Sequence, residues 1–294
     1  MRLYSISWLI AAVLASLLLT VSGHTQTRTD FGQVIVYGQG PDIILIPGLG
    51  CSGEVWKTTV GQIEKTNTCH VVTLAGFAGV PAISGDFLVP RREALVAYIR
   101  KNCKTKPIVI GHSLGGFLGL MIASEYPDVI GKLIVVDAVP FLPALANPAA
   151  TVELAKPQAA MMERMLLNQD AVNFAQSQYA TIRTMVSDST QSRTVAEWSI
   201  ASDRTSLTAA MREMMTTDYR KNISTIRVPT LVLGSWGGYK TFGMTSDMVL
   251  DLFQQNYAAL PSVTIHMAPT ARHFIMLDEP TWFFSEVQSF LKTN

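Results

Sequence analysis

Charge is scarce in this chain, and it cancels. Asp, Glu, Lys and Arg make up 15% of 294 residues and leave a formal net charge of +1. Without a basic excess there is no electrostatic footprint for nucleic acid, and none is expected as a partner. Cysteine is nearly absent. Cys51, Cys69 and Cys103 form no C-x-x-C spacing, which excludes a zinc ribbon or a thioredoxin-type pair, and an odd number cannot pair completely within one chain. Repeats, low-complexity tracts and charge runs are missing as well.

Long apolar runs are missing too, with one exception. Arg2 is followed by an uncharged stretch from Leu3 to Gly23 that includes Leu17-Leu18-Leu19. It reads as a signal peptide cut ahead of His24, which implies a secreted or periplasmic protein. The rival reading is a retained anchor, since the stretch approaches the ~20 residues that span a bilayer. Ser5, Ser7, Ser16, Thr20 and Ser22 favour cleavage, and the mature form then has no membrane contact. An oxidising compartment would permit a Cys69–Cys103 disulfide, because each residue precedes an expected parallel strand at the same end of a sheet.

From residue 33 onward, β-branched runs alternate with helical patterns. Strands are expected at Val34–Tyr37, Ile43–Ile46, His70–Leu74, Ile108–Ile110, Leu133–Val136, Thr230–Leu233 and Val263–Met267. Helices are expected near 55–66, 91–101, 114–125, 246–259 and 280–292. Continuous apolar strands between helices argue for a mostly parallel sheet covered on both faces. Gly38-Gln39-Gly40-Pro41 between the first two runs reads as a hairpin that adds an antiparallel edge. Between Asp137 and Val228 only helical patterning occurs, so the segment 138–227 is read as a helical cap on a core made of 24–137 and 228–294. Its methionines (Met161, Met162, Met165, Met185, Met211, Met214 and Met215) suit either an apolar acyl pocket or the packing of cap helices on each other.

The densest chemical signal is Gly111-His112-Ser113-Leu114-Gly115, set between the run Ile108–Ile110 and an amphipathic helix closed by Pro127. In a strand–turn–helix setting this pentapeptide is a nucleophile elbow. The tight turn holds Ser113 in a strained conformation, and glycines on either side avoid clashes. The helix that begins at Leu114 aims its amide dipoles at the place where negative charge develops.

With strands, elbow and insertion in this order, the chain resembles the α/β-hydrolase superfamily, of the capped serine-hydrolase or esterase type, across nearly all of residues 33–294. The matching motifs are Ile46-Pro47-Gly48-Leu49-Gly50, Gly111-His112-Ser113-Leu114-Gly115-Gly116, Ala271-Arg272-His273-Phe274 and Asp278-Glu279-Pro280. The resemblance implies an α/β fold: a mostly parallel central sheet with helices on both faces, an N-terminal antiparallel hairpin, and a helical cap inserted after the sixth strand of that fold.

Ser113 needs a base, and five histidines compete. His24 sits at the processed terminus, and His70 opens a strand far from the elbow. His112 lies where the backbone turns away from Ser113, and His266 faces a helix layer. His273 follows the last strand in a loop at the carboxyl edge of the sheet, where the family carries its base. For the acid, the family's usual position after Thr230–Leu233 reads Gly234-Ser235-Trp236-Gly237-Gly238-Tyr239-Lys240, without a carboxylate. A group of relatives uses the end of the preceding strand, which is Asp137 here. Asp247 is the rival, although a helix N-cap also explains it. The oxyanion donors are expected to be the N–H of Leu114 and, by resemblance, that of Leu49, with Pro47 where the family commonly has His.

The resemblance therefore implies a carboxylesterase or lipase-like serine hydrolase with Ser113, His273 and Asp137 as its triad, acting on a small-molecule acyl substrate. No metal or cofactor is implied. The alternative is a non-catalytic or weakly catalytic ligand-binding protein on the same fold, favoured by the missing acid after Leu233.

Overall fold

The computed structural model describes residues 25–292. The leader reading for residues 1–23, and His24, lie outside the described residues.

Successive side chains of the central strands go to opposite layers, and both layers are apolar. Ile44, Ile46, Val109, Leu133, Val135 and Val232 pack into one core; Ile43, Leu45, Ile110, Ile134, Val136, Leu231 and Leu233 pack into the other. Burial on both faces explains why these strands read as unbroken apolar runs. They are β1 (Thr25–Thr29), β2 (Gly32–Tyr37), β3 (Asp42–Ile46), β4 (Thr68–Leu74), β5 (Ile108–His112), β6 (Lys132–Val136), β7 (Thr230–Gly234) and β8 (Val263–Met267). The helices are α1 (Lys57–Ile63), α2 (Leu88–Asn102), α3 (Leu114–Glu125), α4 (Val152–Leu167), α5 (Ala171–Met185), α6 (Ser189–Ile200), α7 (Arg204–Thr216), α8 (Ser246–Asn256), α9 (Ile275–Asp278) and α10 (Pro280–Lys292). Residues of α2, α3 and α8 cover one face of the sheet, and residues of α1 and α10 cover the other.

The sheet runs β1-β2-β4-β3-β5-β6-β7-β8, parallel from β4 to β8 through β3, with β1 and β2 antiparallel. An N-terminal hairpin is present, but it joins β1 to β2, not β2 to β3. Gly38 (φ 69°) and Gly40 (φ 142°) carry the chain across the end of β4, where Gly40 N–H donates to Thr68 Oγ1 (3.0 Å). β3 therefore lands on the far side of β4.

The Cys69–Cys103 disulfide that an oxidising compartment would permit is not formed, and all three cysteines are free thiols. Cys69 points into the α1/α10 layer, whereas its neighbour His70 points to the other face and bonds Asp42 Oδ1 (3.0 Å) and Tyr98 Oη (2.8 Å). Cys103 sits on the His70 side. Two side chains on opposite faces of a sheet cannot bridge.

Between β6 and β7 lie α4 to α7, each opened by an oxygen-bearing N-cap: Thr151, Asp170, Asp188 and Asp203. The corner between α6 and α7 rests on the core. Asp203 N–H donates to Gly76 O (2.7 Å), and Ser202 Oγ accepts from Ala78 N–H (2.9 Å). The ends of the insertion meet where Tyr219 N–H donates to Pro140 O (2.9 Å). Its methionines divide: Met214 and Met215 are buried among helices, while Met161 and Met165 are 61% and 59% exposed and so cannot line an internal pocket.

Candidate active site

Ser113 sits between β5 and α3 with φ 51° and ψ −117°, outside the conformations an L-residue ordinarily adopts. The flanking glycines are required. A Cβ on Gly111 would fall 2.2 Å from Gly115 O, and one on Gly115 would fall 2.2 Å from Ile46 O. The neighbouring strand pins the turn, since Ser113 N–H donates to Val136 O (2.9 Å). Leu114 is the first residue of α3, so its N–H lies outside the helical ladder.

One strand over, a positive φ recurs. Asp137 follows β6 with φ 48°, and its N–H donates to Leu233 O (2.8 Å). Its carboxylate is almost enclosed. Oδ1 accepts from Ser235 N–H (2.7 Å), and Oδ2 accepts from Ser235 Oγ (2.9 Å) and from His273 Nδ1 (2.6 Å). Both carboxylate oxygens are thus engaged. Burial first, and the Asp137 charge second, raise the phenols of Tyr239 and Tyr257 above their ordinary range, so both stay protonated. The structure thus joins His273 to Asp137. Asp247 is exposed in the first turn of α8, and the N-cap there is Thr245, not Asp247.

His273 lies in the loop after β8, its side chain 26% exposed against 8% for Asp137. Among the described residues, no hydrogen bond links Ser113 Oγ to the imidazole. His112 does meet it: Nε2 bonds His273 O (3.0 Å), and the rings lie 4.6 Å apart. A carbonyl only accepts, so Nε2 of His112 carries the proton and its buried Nδ1 is left without a partner. Sequence reasoning discounted His112 as a base and had no signal for this supporting contact.

The Pro47–Gly50 loop is packed against the elbow. A Cβ on Gly48 would fall 2.8 Å from His112 Nδ1 and 3.2 Å from Ser113 Cβ. Among the described residues, no acceptor takes the Leu49 N–H. Cys51 is no rival nucleophile: burial pushes its thiol up to about 12, and Sγ–H donates to Leu49 O (3.4 Å). Of the other histidines, His266 bonds Glu286 of α10 (2.7 Å), and His70 belongs to the network with Asp42 at the opposite edge. Asp42, His70 and Cys103 bring possible metal-ligand atoms within 4.8 Å of one another. Both ring nitrogens of His70 and both Asp42 oxygens are already hydrogen-bonded, so the group serves as structure.

A family model described as the alpha/beta hydrolase family matches residues 43–286. A pimeloyl-(acyl-carrier protein) methyl ester esterase of Vibrio parahaemolyticus is 35% identical over 104 residues, covering 35% of this chain and 39% of that relative. Its counterpart in Aeromonas salmonicida is 32% identical over 106 residues, covering 35% and 40%. The chain thus spans about two fifths of the length of the curated relatives it matches. Among solved structures, a hydrolase from Pseudomonas aeruginosa superposes with TM-score 0.76 at 16% identity, covering 93% of this chain and 100% of its own. An enol-lactonase from Burkholderia xenovorans gives 0.70 at 16% identity, covering 92% and 100%. At that identity the likeness is one of fold. No helix among the described residues is long and apolar enough to cross a membrane.

Proposed function

The chain belongs to the alpha/beta hydrolase family, and on that footing we propose that it is a serine hydrolase of carboxylic esters and related acyl compounds. Ser113 is the nucleophile, His273 the general base and Asp137 the acid that orients it; the N–H groups of Leu49 and Leu114 receive the oxyanion. The observation that carries this reading is the 2.6 Å bond from His273 Nδ1 to Asp137 Oδ2, at strand ends beside the strained Ser113 turn.

An ionised Asp137 only accepts, so Nδ1 of His273 holds the proton and Nε2 offers a lone pair. Ser113 Oγ attacks the acyl carbon while its proton passes to Nε2, and the carbonyl electron pair moves onto the oxyanion. Collapse expels the alcohol, which takes that proton, and an acyl-Ser113 remains. Water then adds through the same base, releasing the acid and restoring the serine. The Ser113–His273 hydrogen bond is completed when substrate fills the site, as catalytic contacts commonly tighten on binding. Two oriented donors account for charge stabilisation at the oxyanion, each worth about 10²–10³-fold in rate.

A fluorophosphonate probe tests the assignment. Stoichiometric labelling of the wild type that vanishes in Ser113→Ala is expected; a folded protein that takes no label overturns it in favour of a ligand-binding protein on this fold. That second reading drew on the absence of a carboxylate in 234–240, and it loses force with Asp137 at 2.6 Å from His273. Methyl esters are the first substrates to assay, because the curated relatives are named for one.

The same proposal makes 138–227 a cap on a core of 24–137 and 228–294, and residues 1–23 a cleaved leader that sends the chain to the periplasm or outside the cell. The mass of the mature protein checks the latter: a start at His24 is expected, and an intact Met1 overturns it.

A further inference from the structure

The loop that carries His273 is held on both sides by the inserted segment. Arg272 N–H donates to Asp278 Oδ2 (2.9 Å). The same carboxylate accepts from Ser187 N–H through Oδ1 (2.8 Å) and from Ser187 Oγ through Oδ2 (2.9 Å), across 91 residues of sequence. Ser187 stands in the turn between α5 and α6. The Arg272 guanidinium crosses in the opposite sense, and Nη1 donates to Arg183 O (2.8 Å) and Val186 O (3.2 Å). On the other side of His273, Phe274 N–H donates to Met185 O (3.3 Å). The last carbonyls of a helix have no donors within it, so α5 gains from these bonds as much as the loop does.

We propose that Asp278 is a positioning residue for His273, and that through it the α5–α6 turn is a fixed support of the base. This rests on reading His273 as the base. The imidazole must serve Ser113 and then the leaving group from one place, and a displacement near 1 Å costs on the order of 10²-fold in rate. Residues 272 and 274 both lean on the α5 end, so movement there reaches the ring through two short backbone links. Asp278 joins the two partners because its two oxygens accept three donors. An amide in its place accepts on one oxygen only, which leaves Ser187 N–H or Arg272 N–H without an acceptor.

Asp278→Asn is the direct test, assayed with a p-nitrophenyl ester well below the melting range. A fall in kcat of about 10- to 100-fold at unchanged KM is expected, with a shift or broadening of the low-field proton resonance of His273 Nδ1–H. Ser187→Thr keeps the hydroxyl and should retain the wild-type rate that Ser187→Ala loses. A purely structural tie would lower the thermal midpoint of Asp278→Asn while leaving kcat and the resonance as in the wild type, and that result overturns the proposal. If Asp278→Asn does not fold, Ser187→Ala and Arg272→Met decide it, and wild-type kcat in both is the overturning outcome. Failure of the hydrolase reading shows separately, as absent fluorophosphonate labelling of the wild type. The resonance comparison still reports whether Asp278 supports His273.

Discussion

His112 is the imidazole nearest Ser113 in sequence, and the fold disqualifies it as a base for that hydroxyl. It is fully buried and spends its one N–H on the His273 carbonyl. Burial first, and the proximity of His273 second, hold its pKa well below the ordinary 6.5 of an imidazole. The folded protein therefore refuses a proton that the unfolded chain accepts. Stability is present in full above about pH 6.5 and is lost as pH falls toward the depressed value, with a slope of ~1.4 kcal/mol per pH unit for one proton. His112→Gln removes that titration. Urea denaturation between pH 7 and pH 5 should show a flatter decline for the variant, and an unchanged slope would place the acid sensitivity elsewhere. Asp137 makes the second prediction at this scale. In Asp137→Asn an amide N–H can face His273 Nδ1 and impose the wrong tautomer, with an expected loss in kcat of roughly 10⁴-fold. Asp247→Asn, at an exposed first-turn position, should keep the wild-type rate. The same ester assay on both variants decides between the two acids. The pairing of Asp137 with His273 was legible because the stretch 234–240 offers no carboxylate, whereas the contact of His112 with the His273 carbonyl was not. A hydrogen bond from a side chain to a backbone 161 residues away has no local spacing to betray it.

Elements were legible where both faces of a strand are buried and where glycine permits what no other residue does. β3 to β7 announce themselves as largely buried runs and β8 (Val-Thr-Ile-His-Met) as an alternating edge strand, but β1 (Thr-Gln-Thr-Arg-Thr) carries neither signal, and it forms because β2 offers an open edge. Missing it misassigned the hairpin, since Gly38–Pro41 looks like a two-strand turn until β4 is known to intervene. Whether Cys69 and Cys103 could pair stayed open for a related reason: strand ends locate residues along the sheet and say nothing of its two faces. Support for His273 by the α5–α6 turn was also hidden, because Ser187 and Asp278 meet only in three dimensions. The elbow is the opposite case, with its requirements written in adjacent letters. Gly115→Ala would drive a methyl group to 2.2 Å from the Ile46 carbonyl, which is backbone and cannot yield cheaply. A destabilisation of about 1–3 kcal/mol is expected, as for other overpacked sites. Ile46 precedes the Leu49 loop, so fluorophosphonate labelling should slow as well. A variant as stable and as reactive as the wild type would show the turn to be slacker than these distances describe.

At the scale of the molecule, the sheet comes from two stretches of sequence that the insertion separates, and the proposed active site draws on all three. β6 supplies Asp137, β7 supplies Ser235 beneath it, and the loop after β8 supplies His273, which in turn leans on α5. A cap that only covers substrate would be dispensable for small esters. One that supports the base would not. The topology permits the comparison, because Pro140 and Tyr219 already meet through a hydrogen bond of 2.9 Å, so a short glycine–serine link can replace residues 141–218 without stretching β6 away from β7. Circular dichroism of that variant should retain the strand signal of the paired sheet. Esterase activity should be lost for acetyl and long-chain esters alike, since Arg272 and Asp278 then have no α5 to hold. If acetyl ester hydrolysis survives while long-chain hydrolysis falls, the inserted helices shape the acyl pocket only, and His273 stands without them.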